Sequence, residues 1–216
     1  MASKRQKNPF RYLPLDVARA VCSVLTLAFR PKKLHISGEK YSQKVKGGAI
    51  IASNHTGFSD PVRVATCFIT RRVFYLAAKE VMINRVVGVL LKGAGCISID
   101  REQSDINAIR KCVDVLKDGK LLAIFPQGSI QDNDEMNKIK SGAVLIAMQA
   151  GVPIIPMYTA KRKHWWNRTL TVIGDPFDCK ERCGKRFPSV ADIDQLSNEL
   201  LGKMEECRKV YEQQVK

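Results

Sequence analysis

The chemistry legible in this chain starts from one histidine. His55 stands in Ser53-Asn54-His55-Thr56-Gly57-Phe58-Ser59-Asp60, directly after an apolar run, Gly48 to Ser53, that reads as a strand. In parallel α/β sheets the carboxyl ends of strands are where sites collect. Asp60 follows five residues later, and on a regular helix five steps of about 100° would carry it off the histidine's face. A turn at Thr56-Gly57 before a new helix removes that obstacle and lets the carboxylate reach the imidazole Nδ1. The opposite ring nitrogen is then free to act as a base. This is the base and its orienting partner from a catalytic triad, without a protein nucleophile. Such a base calls for a substrate hydroxyl as nucleophile, attacking an activated acyl carbon while Asp60 stabilises the imidazolium. The bare HxxxxD spacing also fits a histidine that merely caps a helix.

Other routes to chemistry are weaker. His35 lies in a basic stretch before an expected strand and His164 beside Trp165-Trp166, and both read as structural or interfacial. There is no GxxxxGK[ST] phosphate loop, Gly93-Ala94-Gly95 alone does not argue a dinucleotide fold, and no GxSxG nucleophile elbow occurs. Cys179 and Cys183, with only His164 upstream, do not make a zinc site.

The elements that must position His55 follow from periodicity. Gly48–Ser53, Val73–Ala77, Gly95–Ile99 and Leu121–Phe125 are short apolar runs bounded by charges, Pro or Gly. Between the last two, Ile106, Ile109, Val113 and Leu116 step as one face of a helix, with Ser104 or Asp105 to cap its start and Gly119 its end. The uncharged window Ser141–Ala160 contains Pro153 and Pro156, which cannot continue a helix. It reads as a helix to Ala150, a stop at Gly151 and a buried strand Val152–Met157, not a membrane span. From Ser189 onward Ile193, Leu196, Leu200, Met204 and Cys207 again step helically. Strands alternating with helices predict an α/β fold with a mostly parallel central sheet flanked by helices.

Composition narrows the class. The 216 residues carry 36 Lys+Arg against 21 Asp+Glu, with 45% hydrophobic and 26% charged residues, ordinary globular values and enough length for one sizeable core. The seven cysteines, at 22, 67, 96, 112, 179, 183 and 207, follow no regular spacing, which suits a reduced, cytosol-facing protein. The basic excess is concentrated: residues 1–46 hold eleven Lys/Arg and two acids. That arm includes the apolar stretch Val17–Phe29, whose uncharged part, Ala20–Phe29, is ten residues, or about 15 Å of helix. Spanning takes about 20 residues. The stretch is expected to lie in the membrane interface as an amphipathic helix, with Lys4, Arg5, Lys7, Arg11, Arg30, Lys32 and Lys33 toward anionic headgroups. The alternative is a core-docked first helix with a solvated tail. Nucleic acid is not the expected partner, since such a binder usually spreads its cations over the folded module. The boundary is drawn between an arm over 1–34 and an α/β domain over 35–216.

Four blocks then resemble a known family. Asn54-His55-Thr56-Gly57-Phe58-Ser59-Asp60 resembles the NHxxxxD block of the glycerolipid acyltransferase superfamily. Gly95-Cys96-Ile97-Ser98-Ile99-Asp100-Arg101 is similar to its second block, Phe125-Pro126-Gln127-Gly128-Ser129 to its Phe-Pro-Glu-Gly-Thr block, and Val152-Pro153-Ile154-Ile155-Pro156-Met157 to its fourth. Gly174-Asp175-Pro176-Phe177 resembles the usual downstream turn. The resemblance implies His55 as general base and Asp60 as its partner. It implies Arg101 at an acceptor phosphate, whose geometry a guanidinium matches. Gln127, Gly128 and Ser129 would border the acceptor, their backbone donors facing the oxyanion. It implies no metal and no bound cofactor, with acyl-CoA or acyl-acyl-carrier-protein as co-substrate. The partners are then that donor, a lysophospholipid acceptor and an anionic membrane surface, at the cytoplasmic face of a membrane as a peripheral or monotopic protein.

The characteristic activity of the family is transfer to 1-acylglycerol-3-phosphate, giving phosphatidic acid. The third block departs from the pattern: Gln127 replaces the glutamate, Ser129 the threonine, and Ile130 the arginine that often follows. The alternatives are the same transfer to another lyso-lipid or lipid hydroxyl, or a non-catalytic membrane-binding module.

Overall fold

The computed structural model describes residues 13, 15–17, 20, 32–40, 45–57, 59–100, 105–128, 139–161, 169–185 and 188–215, except the side chains of Val87 and Leu90. Among the described residues, seven strands form one sheet: β1 Lys32–His35, β2 Ala49–Ser53, β3 Val73–Ala78, β4 Cys96–Ile99, β5 Leu121–Ile124, β6 Ile154–Thr159 and β7 Leu170–Ile173. Their order is β1-β7-β6-β2-β5-β3-β4, and every neighbouring pair is parallel except β6/β7. The described helices are α1 Asp60–Cys67, α2 Arg85–Gly93, α3 Ile106–Lys117, α4 Gly142–Ala150, α5 Cys179–Cys183 and α6 Val190–Val215, with a 3₁₀ turn at Lys79–Met82. The expected α/β architecture, a mostly parallel sheet flanked by helices, is the one found.

Both faces of the sheet are covered, which explains why β2 and β5 are buried at every position instead of alternating. On one face Ile50, Leu122 and Ile154 pack with Val113 and Leu116 of α3, Val144 and Ala147 of α4, and Leu196, Leu200 and Met204 of α6. On the other, Ile51, Ala123 and Ile155 meet Val64, Cys67 and Phe68 around α1. Asp105 caps α3 by accepting from Ala108 N at 2.9 Å, and Gly151 ends α4 at φ 66°, a conformation that suits glycine. Gly48 is needed for closeness: a Cβ there would run into the Leu116 carbonyl at the end of α3.

Three expectations shift. The buried face of α3 is Ala108, Cys112, Val113 and Leu116, while Ile106 is exposed. Small Ala108 and Cys112 let the helix approach the sheet, so the inward face lies one position round from the largest residues. The strand expected at Val152–Met157 runs Ile154–Thr159, because Val152 and Pro153 complete the turn after α4. β1 covers Lys32–His35 and pairs with β7, so it straddles the 34/35 division drawn from sequence. Most of the arm over 1–34, including nearly all of the Val17–Phe29 interfacial helix, lies outside the described residues. No described helix is long and apolar enough to cross a membrane.

Candidate active site

The parallel strands deliver their carboxyl ends to one rim. There β2 runs into His55, β5 into Gln127 and β4 into Asp100. Asn54 governs how β2 leaves the sheet: its Nδ2 donates to the Thr159 carbonyl at 2.9 Å and its Oδ1 accepts from Thr159 N at 2.8 Å. A side-chain amide thus takes the place of the next rung with β6, so the backbone can turn at Asn54 without orphaning β6.

His55 and Asp60 meet. Nδ1 of His55 lies 3.0 Å from Oδ2 of Asp60, the contact the turn at Thr56-Gly57 was expected to permit. That oxygen also accepts from the backbone N–H groups of Thr56 at 2.6 Å and Gly57 at 2.9 Å. Asp60 is the first residue of α1, followed by Pro61, which has no N–H and so suits a first turn whose N–H groups find no intrahelical acceptor. Its second oxygen, Oδ1, accepts from Nη2 of Arg63, one turn along the helix. Burial pushes the Asp60 carboxyl up, but the His55 hydrogen bond, the Arg63 charge and the two N–H groups outweigh it and hold it below the usual carboxylate value. Asp60 is an anion at neutral pH. Acting as an acceptor only, it fixes the proton on Nδ1 and leaves Nε2 the basic nitrogen.

Arg63 is the residue that sequence reasoning missed. It is buried, and its Nη1 donates to the Ala160 carbonyl at 2.6 Å. The only signal was an Asp–Arg spacing of three along a helix, a pattern usually found on surfaces. The imidazole itself stacks on Phe125, with ring centroids 4.3 Å apart and planes 22° apart. Phe125 therefore limits the ring's rotation from one side while Asp60 holds its edge.

Gln127 reaches the same loop from β5. Its Oε1 accepts from the backbone N–H of His55 at 3.0 Å, and its side chain also lines an open cavity of about 810 Å³ shared with Lys140, Ser141, Asp194 and Asn198. Gly128 adopts φ 83°, with Lys140 packed where a Cβ would sit. Its N–H donates to the Phe125 carbonyl at 3.0 Å. That donor closes the turn, so the expectation that Gly128 offers its N–H to an oxyanion does not hold in this geometry. Arg101 and Ser129 lie outside the described residues. Asp100, beside Arg101, pairs with Lys79 at 2.6 Å, tying the ends of β3 and β4 together.

A family model described as Acyltransferase matches residues 33–160, which contain all four blocks. The chain belongs to the acyltransferase family. Among curated relatives, the 1-acyl-sn-glycerol-3-phosphate acyltransferase of Bacillus subtilis is 31% identical over 109 residues, 50% of this chain and 54% of that protein. The Streptococcus pneumoniae protein of the same name is 36% identical over 109 residues, 50% of this chain and 40% of its own length. The chain thus spans about half the length of these relatives or less. Its fold is shared with the crystal structure of the 1-acyl-sn-glycerophosphate (LPA) acyltransferase PlsC from Thermotoga maritima, at TM-score 0.62 and 17% identity, over 91% of this chain and 79% of that one. The relatives matched carry the name 1-acyl-sn-glycerol-3-phosphate acyltransferase, and the shared fold is the one seen in PlsC.

Proposed function

We propose that this acyltransferase moves a fatty acyl group from an acyl thioester, of CoA or acyl carrier protein, to the free hydroxyl of 1-acylglycerol-3-phosphate, giving phosphatidic acid at a membrane surface. The observation that carries the reading is the oriented His55–Asp60 pair, 3.0 Å between Nδ1 and Oδ2, on a chain whose four blocks all lie within the matched family region. The acceptor oxygen attacks the thioester carbonyl as Nε2 of His55 takes its proton. The tetrahedral intermediate then expels the thiolate, the C–S bond breaks, and the imidazolium returns the proton to sulfur. Asp60 stabilises the transient imidazolium. The reaction calls on no metal and no bound cofactor.

Lys140 on the cavity wall and Arg101 after β4 are the cations assigned to the phosphates of donor and acceptor. The basic arm over 1–34 is assigned to anionic lipid, at the cytoplasmic face. A second reading, transfer to a lyso-lipid without a terminal phosphate, is favoured by one observation: the third block holds Gln127 and Ile130 in place of an acid and a base. Both are tested by offering labelled acyl-CoA and acyl-acyl-carrier-protein with a panel of lyso-lipids. Transfer to lysophosphatidic acid supports the first reading, and transfer only to other acceptors replaces it with the second. No transfer to any acceptor by folded protein leaves a non-catalytic membrane-binding module.

A further inference from the structure

The segment after β3 carries apolar side chains on the outside. Val81 is 54% exposed, Ile83 80%, Val86 69% and Val89 66%. Single exposed aliphatics are ordinary on any protein, and other described ones, such as Val62, Leu145 and Val190, lie far apart in sequence. Four within nine residues are different. Val86 and Val89 stand three apart on α2 and so share a face. The helix turns its glycine inward instead: Gly88 is buried, donates to the Asn84 carbonyl at 2.7 Å, and has the Met82 carbonyl 2.8 Å from where a Cβ would sit. A water-facing helix normally presents polar residues outward. This one presents valines.

The ridge lies on the catalytic rim. Tyr75 of β3 and Ile51 of β2 are both level with Ala123 of β5. Three residues further along each strand, Ala78 comes level with Asn54, so the turn at Lys79–Met82 begins at the height of His55. Residues 79–92 carry Arg85 and Lys92 beside the acid Glu80, while Lys79 is held by Asp100 at 2.6 Å. A short aliphatic ridge flanked by cations matches the interface of an anionic bilayer, where apolar side chains sit about 5–10 Å deep and cations meet headgroups.

We infer that Val81, Ile83, Val86 and Val89 form a second membrane contact, separate from the basic arm, that seats the His55 rim on an anionic lipid surface. The inference deepens the membrane-surface reading proposed above. Acyl chains delivered at that height need not leave the bilayer to reach the imidazole. The arm is assigned electrostatic attraction together with its own apolar stretch, and the ridge adds apolar insertion beside the His55 rim.

The test uses the full chain and phosphatidylcholine vesicles with or without phosphatidylglycerol, and no acyl donor. The variant Ile83→Ser/Val86→Ser/Val89→Ser is expected to keep its circular dichroism and melting temperature and to lose about tenfold or more in partitioning to both vesicle types. Removal of residues 1–30 is expected to weaken binding to the anionic vesicles more than to the neutral ones. A second reporter needs no loss of binding: Ile83→Trp, in a Trp165→Phe/Trp166→Phe background, should shift to the blue on vesicles and be quenched by lipids brominated on their acyl chains. Unchanged partitioning of the triple variant, or an unquenched tryptophan on vesicle-bound protein, overturns the inference. So does a large fall in melting temperature, which would mean that the chain's own residues cover the ridge. Relief of self-association by the triple variant, without an effect on lipid binding, overturns it in favour of a second copy. A ridge that inserts in a protein transferring no acyl group leaves this inference standing and overturns the proposed reaction.

Discussion

Replacing Asp60 by Asn should destabilise the protein chiefly through Arg63, and a double variant can show it. The two side chains are 1% and 4% exposed and joined by a hydrogen-bonded ion pair. Asp60 serves four donors: His55 Nδ1, Thr56 N and Gly57 N on one oxygen and Arg63 on the other. An asparagine offers one oxygen and one NH₂. Whichever way the amide turns, its NH₂ faces a donor, and the Arg63 cation loses its counter-charge. Removing one member of a buried pair costs about 3–5 kcal/mol, which in a chain of this size lowers the melting temperature by roughly 10 °C. Arg63→Met alone leaves a buried carboxylate and an unpartnered Ala160 carbonyl, and should cost a similar amount. In Asp60→Asn/Arg63→Met neither charge remains, so the double variant should be more stable than the sum of the singles by about 2–3 kcal/mol. Urea unfolding at neutral pH, followed by circular dichroism, measures all four proteins. Additivity within about 0.5 kcal/mol would refute the account of Arg63 as the counter-charge of Asp60.

Three further outcomes are expected. Asp60 sits below its usual carboxylate value when folded, so its contribution is fully present above the unfolded-state value of about 4 and is lost as pH falls through the lower folded one. The stability difference between the natural protein and Asp60→Asn, measured by urea titration across acid pH, should therefore shrink below about pH 4; a constant difference would contradict it. Gln127→Glu keeps an oxygen for the His55 N–H, seen at 3.0 Å, and should hold activity within a few-fold. Gln127→Leu removes that oxygen and should lower kcat by about tenfold, the scale of a lost positioning hydrogen bond; equal kcat values would rule out the strut. Gly48→Ala forces a Cβ against the Leu116 carbonyl and should cost about 1–3 kcal/mol or more in thermal or urea unfolding, where an unchanged midpoint would show that α3 yields freely.

Much of this site was legible before any coordinates because its parts are local. Asp60 follows His55 by five residues, and Thr56-Gly57 marks the turn between them. The strands that lead into it are mostly apolar and bounded by charges or turn residues, so β2, β3, β4 and β5 lie within a residue or so of where the apolar runs put them. What escaped depended on partners far along the chain. The bond from His55 N to Gln127 crosses 72 residues, and Asn54 to Thr159 crosses 105. Arg63 looks like an ordinary surface partner for Asp60 until burial shows that it closes the site from below. β1, with its Lys32-Lys33 start, reads as part of a basic arm and becomes a strand only because β7 offers it an edge. On α2, which periodicity did not mark, Val86 and Val89 are exposed and Gly88 is the residue that packs.

The measurement that tests the central claim most directly is acyl transfer by His55→Ala beside the natural protein, with labelled acyl thioester and lysophosphatidic acid in anionic micelles and circular dichroism on both. His55 is on the rim and only part-buried, 19% exposed at its side chain, so the alanine variant should fold normally. The account predicts a native spectrum with transfer reduced by about a thousandfold or more, the scale set by losing a general base from an oriented pair. A folded His55→Ala protein that transfers at the natural rate would contradict it.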